Sequence, residues 1–308
     1  MTYNFLYFLE AIPGDVAQGI IWGIMALGVF VTYRILNFAD LTVDGSFATG
    51  GATAVVLIIH GVPAPVAVLA AFGVGLLAGL CTGLLHTLLG IPDILSGILM
   101  QIALYSVNLN IMGMANVAVS VNKFHLVLSS RYINMAILVS LCFAAAVMIV
   151  LYWYFGTEQG SAIRATGNNP AMSRAQGINI GAMKVIALAF SNGLVAMAGG
   201  LIAQYQGFAD INMGRGSIVI GLAAVIIGEV LGNAFFRKGM NFMIRMLFVI
   251  IGSIIYYIVI GFVLWLRMPT DDLKLFTAII VAVFLAIPYL KDKAGHSFRA
   301  SARKGAGK

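Results

Sequence analysis

Two carboxylates stand inside long apolar runs, where either chemistry or structure must account for them. Asp44 opens the run 41–59 beside Gly45 and Ser46, and Glu229 lies deep in the run 217–232. A carboxylate at the centre of a membrane helix costs about 3 kcal/mol on insertion scales, so it normally faces a cavity or a partner. Glu229 has no basic residue within one helical turn, so it must find one from another segment or stay protonated. Two readings fit it: a residue of a transport pathway or gate, and a structural hydrogen bond between helices. Asp40 and Asp210 each precede an apolar run and read first as caps of the helices that follow. Gln101, Asn108, Asn110, Ser191, Asn192 and Gln204 also interrupt apolar runs, either lining a pore or tying helices together.

Asp40 and Asp210 belong to an internal repeat. Phe38-Ala39-Asp40-Leu41 through Asp44-Gly45-Ser46 recurs as Phe208-Ala209-Asp210-Ile211 through Arg215-Gly216-Ser217, with one residue inserted; Gly50 then matches Gly221, and Ala52 matches Ala223. Where such copies run in opposite directions through a membrane, substrate passes at their interface along broken helices. Phe38, Asp40, Asp44, Ser46, Phe208, Asp210 and Glu229 are therefore the candidate translocation-pathway residues.

The elements that must position these residues follow from composition. Of 308 residues, 61% are hydrophobic and 9% charged, against roughly 25% charged in a soluble domain. A helix crosses a bilayer with about 20 apolar residues. Such stretches fall at about 16–36, 41–59, 64–90, 91–113, 134–155, 182–205, 217–232, 246–266 and 274–290. The fold class is an all-α polytopic membrane protein of about nine spans, the seventh being the shortest. With the N-terminus outside, only Lys123, Arg131, Arg215, Arg267 and Lys274 lie outside and every other Lys and Arg lies inside. This positive-inside bias selects an N-out, C-in orientation. It puts the first repeat copy inside and the second outside, as an inverted repeat requires.

The domain plan is a transmembrane unit, 1–290, with repeat copies around 16–113 and 182–266, followed by a basic cytoplasmic tail, 291–308. The net charge of +7 resides in cytoplasmic loops and this tail, which points to a membrane surface and not to nucleic acid. Residues 1–14 lack the basic region of a cleavable signal, so the first apolar run is expected to be retained. Gly75, Gly79 and Gly83, like Gly19 and Gly23, have the spacing of a helix-packing stripe. Cys81 and Cys142 are expected to be buried packing residues, and no metal site is indicated. The outer loop 114–133 alternates Val117, Val119 and Val121, suiting a docking surface, a cover over the pathway mouth or an interfacial segment.

The longest cytoplasmic loop, within 156–181, carries ordered start and stop signals. Ser161 to Thr166 is expected to form a short helix stopped by Gly167, and Asn169 to cap a second with Pro170 at its first position and Gly177 at its end. Arg164, Met172 and Arg174 would project from a compact knob that a soluble partner can grip.

The pattern Gly160, Arg164-Ala165, Gly167-Asn168, Ala171, Ala175 and Gly177-Ile178 resembles the coupling-loop signature of permeases in the branched-chain amino acid and ribose group of ATP-binding-cassette importers. Arg34 to Phe47 resembles one subgroup still more closely, the permeases encoded beside putative tryptophan or other amino acid binding proteins. The resemblance implies a permease subunit in a bacterial plasma membrane that imports a small polar solute, an amino acid, by alternating access. It further implies cytoplasmic ATPase subunits that dock on Arg164, Ala165, Gly167, Asn168, Asn169, Met172, Arg174 and Gly177, an external substrate-binding protein, and a second permease copy, most simply in a homodimer. The chain has no phosphate-binding G-x-x-x-x-G-K-[ST] loop, so ATP would be hydrolysed by another polypeptide, and it has no H-E-x-x-H or G-x-S-x-G motif, so catalysis is not expected. The alternative is an ion-coupled secondary transporter or channel, with Asp44 and Glu229 holding the coupling ion.

Overall fold

The computed structural model describes residues 5–121, 123–236 and 239–266, with scattered helical positions from 275 to 286. Apart from those positions, the expected ninth span, 274–290, and the tail, 291–308, lie outside the described residues. The first eight spans all form. Helix α1 (Phe5–Phe30) continues through a π turn, Val31–Ile35; then come α2 (Thr42–Ile59), α3 (Ala64–Thr87), α4 (Asp93–Met112) and α5 (Ile133–Gly156). Two short helices, α6 (Glu158–Asn168) and α7 (Pro170–Ala175), precede α8 (Ile180–Gln206), α9 (Ser217–Phe235) and α10 (Phe242–Trp265). The eight long helices are each apolar enough to cross a membrane. Among them α2, at 18 residues, is shorter than α9, at 19, so the seventh span is not the shortest.

Helix ends follow local chemistry. Pro63 and Pro92, in extended backbone, stand immediately before α3 and α4, where a missing N–H costs nothing. Gly113 and Gly207 adopt left-handed conformation directly after α4 and α8. The centre of the bundle is α1, α2 and α8, whose most apolar windows are 83%, 78% and 78% buried; α4 and α5, at 22% and 33%, are its periphery. Cys81 and Cys142 are exposed, on outward helix faces, and not packing residues.

Packing is paired. Helix α3 lies along α8 and α10 along α1, while α2 packs on α3 and α9 on α10. The glycine stripes sit on the first two of these seams. A methyl group at Gly75 or Gly79 would strike the carbonyl of Asn192 or Leu188 on α8, and one at Gly83 would come 2.8 Å from the Val185 Cα. At Gly19 it would come 2.6 Å from the Ile254 Cα on α10. The backbones approach because no side chain intervenes.

Of the alternating valines in the loop 114–133, Val117 lies in strand β1 (Asn116–Ala118), which pairs antiparallel with β2 (Phe208–Asp210), Val117 opposite Ala209. Val119, 3% exposed, enters a second core cluster with Ile58, Met112 and Ala203. This stretch of the loop is thus built into the bundle, as a clasp between two helix ends.

Candidate functional site

Two non-helical breaks meet inside the bundle. The first follows the π turn: Leu36 donates its N–H to the Val31 carbonyl, Phe38 to that of Thr32, and Asn37 turns through a φ of +56°. Asp40 then accepts from the Thr42 N–H at 2.9 Å through Oδ1, and from Asn192 Nδ2 at 2.6 Å through Oδ2. Asn192 accepts from Ser46 Oγ at 2.7 Å and also donates to the Leu188 carbonyl. Asp40, Ser46 and Asn192 are all essentially inaccessible. Every member is satisfied, so the network holds α2 against α8 rather than exposing a reactive group. Asn192 is 12 residues, or about 18 Å of helix rise, beyond the start of α8. Helix α2 therefore begins deep in the bundle, where irregular backbone survives only by being enclosed in protein.

The second break repeats the first turn. Asp210 Oδ1 accepts from the Asn212 N–H at 2.7 Å, two residues on, as Asp40 does from Thr42, and its Oδ2 again accepts from an asparagine, Asn116 Nδ2 at 3.3 Å. From there 211–216 runs along α2: Met213 Sδ sits against Gly51, and Gly214 against the Asp44 carbonyl. The segment ends at the Asp44 carboxylate. Oδ2 accepts from the Gly216 N–H, and Oδ1 from Ser217 Oγ and the Ile218 N–H, each at 2.9 Å. Asp44 thus caps α9, a helix at least 172 residues away in sequence, with a negative charge at the positive end of its dipole. Asp40 and Asp210 each close a turn two residues on and do not cap α2 or α9: Leu41 and Gly216 hold the cap positions without side-chain bonds of their own, and the acceptor for α9 comes from Asp44.

Glu229 finds its partner on another element. Its Oε1 accepts from Arg34 Nε at 2.7 Å, tying α9 to the π turn of α1; the side chains are 21% and 51% exposed. Beside this pair opens a cavity of about 670 Å³ lined by Arg34, Asn37, Arg164, Asn168 and Arg245. Three guanidiniums face it.

That cavity adjoins the α6–α7 knob. Thr157 Oγ1 accepts from the Gly160 N–H at 3.3 Å and starts α6 at Glu158, one turn earlier than its expected start at Ser161. Gly167 does not stop the helix; it lies in the last turn against the Ile35 carbonyl of the π turn, a contact no larger residue allows. Asn169 caps α7 by accepting from the Met172 N–H at 3.0 Å, with Pro170 first in the helix, and Gly177 follows it at a φ of +81°. Ile163, Thr166 and Ser173 face the bundle, while Arg164, Asn168, Asn169, Met172 and Arg174 face outward; Ala165 is half-buried. The knob is firmly seated and displays a mixed cationic, polar and apolar surface.

A further cavity, about 370 Å³, lies between α2, α4 and 211–216, lined by Asp44, Gln101, Tyr105, Asn108 and Arg215 among others. This separates the polar residues that interrupt apolar runs. Ser191 Oγ donates to the Gly28 carbonyl of α1, Gln204 Oε1 accepts from the Val127 N–H of the loop 114–133, and Asn192 serves Asp40, so these three tie α8 to its neighbours. Asn110 donates to its own helix. Gln101 and Asn108 line the cavity. Sequence reasoning passed over Asp15 on α1, whose buried Oδ2 has no hydrogen-bond partner and presses on Gly261. Asp15 stands one residue before the apolar run 16–36, so the signal of an ionisable residue inside a run did not reach it. Phe38 is buried, edge-on to His86 at 5.0 Å, whereas Phe208 is 37% exposed.

Comparison with known proteins adds an independent line. A family model described as branched-chain amino acid transport system, permease component, matches residues 15–301. A tyrosine transport system permease protein of Clostridioides difficile (strain R20291) is 41% identical over 278 residues, 90% of this chain and 91% of that one. The uncharacterized protein RP368 of Rickettsia prowazekii (strain Madrid E) is 31% identical over 180 residues, 58% of this chain and 63% of its own. No solved structure matches significantly.

Proposed function

The chain belongs to the branched-chain amino acid transport system permease family, a multi-pass membrane component of bacterial transport, and from that premise we propose that it is the permease subunit of an ATP-driven amino acid importer. The observation that carries the proposal is the α6–α7 knob. It is capped at both helices, seated by Gly167 on the π turn of α1, and displays Arg164, Asn169, Met172 and Arg174. A separate cytoplasmic ATPase docks on this surface. Its movement reaches the bundle through the π turn, which also carries Arg34 and its bond to Glu229. Here π turns and ion pairs serve as hinge and latch. ATP is hydrolysed by the partner, not by this chain.

The inverted repeat is the second part of the reading. The same Asx turn at Asp40 and Asp210, the α3–α8 and α10–α1 seams, and the meeting of the two breaks at Asp44 support it. Rocking of one copy against the other around these breaks supplies alternating access. An external binding protein delivers the substrate, and a second copy of the chain completes the pathway. Orientation is N-out, C-in. The resemblance to a tyrosine transport system permease favours an aromatic amino acid as cargo. An ion-coupled mechanism centred on Glu229 is disfavoured, because that carboxylate is paired with Arg34.

The test is affinity purification of the solubilised chain from its native membrane. A stoichiometric ATPase should co-purify, and should be lost when 164–177 is replaced by a flexible linker of equal length. Recovery of the linker variant with its ATPase, or of the wild type without one, would overturn the reading.

A further inference from the structure

The cavity between α2, α4 and 211–216 has the chemistry of an amino acid head group. Its volume, about 370 Å³, lies in the range of small-molecule sites, about 300–1,000 Å³. Helix α4, at the periphery of the bundle, turns Gln101, Tyr105 and Asn108 to it, at the i, i+4, i+7 spacing of one face.

Three features point to a ligand with separated charges. Arg215 lines the cavity, and its guanidinium makes none of the hydrogen bonds or ion pairs found among the described residues. Asn108 is 1% exposed, yet its Oδ1 has no partner. A buried amide oxygen left unpaired is costly, and a ligand donor would satisfy it once the amide turns. Asp44 stands in the same wall. It spends two acceptor positions of Oδ1 and one of Oδ2 on α9, which leaves a position on Oδ2.

We infer that this cavity is a head-group site for an α-amino acid zwitterion within the permease itself, with Arg215 taking the carboxylate as a two-pronged donor and Asp44, Gln101 and Asn108 taking the ammonium. The inference rests on the permease reading and deepens it: selection is not left wholly to a binding protein. A carboxylate and a guanidinium pair in planar, bidentate geometry, and the ammonium supplies three donors to the acceptors of the opposite wall. A ligand with only one of the two charges leaves the opposite wall unpaired, so the site rejects the corresponding amine and acid. Tyr105, 45% exposed, offers a ring face on which an aromatic substrate stacks.

The experiment uses the full chain in lipid nanodiscs, without ATPase or binding protein. L-Tyrosine, tyramine, which lacks the carboxylate, and 3-(4-hydroxyphenyl)propionate, which lacks the ammonium, are titrated by calorimetry. L-Tyrosine should bind saturably with a millimolar or tighter constant, and both analogues at least tenfold more weakly. Arg215→Gln, in an exposed turn where misfolding is not expected, should weaken L-tyrosine at least tenfold, the loss of a charge-assisted hydrogen bond, and leave tyramine unchanged. Equal binding of all three probes, an unchanged L-tyrosine constant in R215Q, or no saturable L-tyrosine binding would overturn the site. Co-purification of an ATPase is scored separately, on wild type and R215Q solubilised from the native membrane. Loss of the site with the ATPase retained rejects only this inference, whereas absence of the ATPase from the wild type rejects the importer reading.

Discussion

Replacing Asp44 with alanine should detach α9 from α2 and destabilise the fold by about 3 kcal/mol. Three donors lose a charged acceptor: the N–H groups of Gly216 and Ile218 and the hydroxyl of Ser217, each at 2.9 Å. A hydrogen bond to a charged group contributes about 1.5–3 kcal/mol, and losing a helix cap alone costs about 1 kcal/mol. The sum would exceed 5 kcal/mol if nothing replaced the carboxylate. Water from the adjacent cavity, about 370 Å³, can reach the freed groups and lowers the cost. Ser217→Ala removes one donor and should cost about 1 kcal/mol. Because the two residues share one bond, the double variant should be less destabilised than the sum of the singles by about 1 kcal/mol. The assay is reversible unfolding in mixed micelles, followed by tryptophan fluorescence, on the four members of the cycle. A D44A variant within about 0.5 kcal/mol of wild type, or strict additivity with S217A, would refute the capping role.

Gly79→Leu should prevent α3 from seating on the Leu188 carbonyl of α8, and the variant should be degraded or aggregate, as read by fluorescence-detected gel filtration; Gly73→Leu, which meets nothing, should behave as wild type. Asn192→Leu leaves the buried Asp40 without its side-chain donor and Ser46 without its acceptor, a loss of about 3 kcal/mol readable in the same unfolding assay. Arg34→Gln and Glu229→Gln should each lower stability by less than about 1 kcal/mol, since the pair is partly exposed, while slowing uptake in whole cells if the pair is a latch. Asn169→Ala should cost α7 about 1 kcal/mol and reduce uptake at an unchanged membrane level.

Spans were legible because bilayer thickness writes itself into apolar run length. Their deep starts were not: that Asp40 lies about 18 Å along α8, beside Asn192, depends on which helix encloses the break. The glycine stripes were readable from spacing, but not which helix fills each. Glu229 was expected to need a partner from another segment, and Arg34 is that partner. That Asp44 also caps α9 was not legible, because the capped helix lies 172 residues away in sequence, beyond any local signature. Gly167 reads as a helix stop because glycine usually is one; its close approach to Ile35 is a tertiary demand. Arg215 entered the sequence reading only through the repeat and the loop charge, and Tyr105 not at all, because neither spacing nor composition shows that a turn and a peripheral helix enclose one cavity.

The central claim is that movement delivered to the α6–α7 knob by an ATPase drives substrate through this chain. Its most direct test is uptake of radiolabelled L-tyrosine into proteoliposomes that hold the chain with its co-purified ATPase and receive binding protein outside. Uptake should require ATP on the ATPase side and be abolished by replacing 164–177 with a flexible linker. ATP-independent uptake by the chain alone, driven by an ion gradient, would contradict the account.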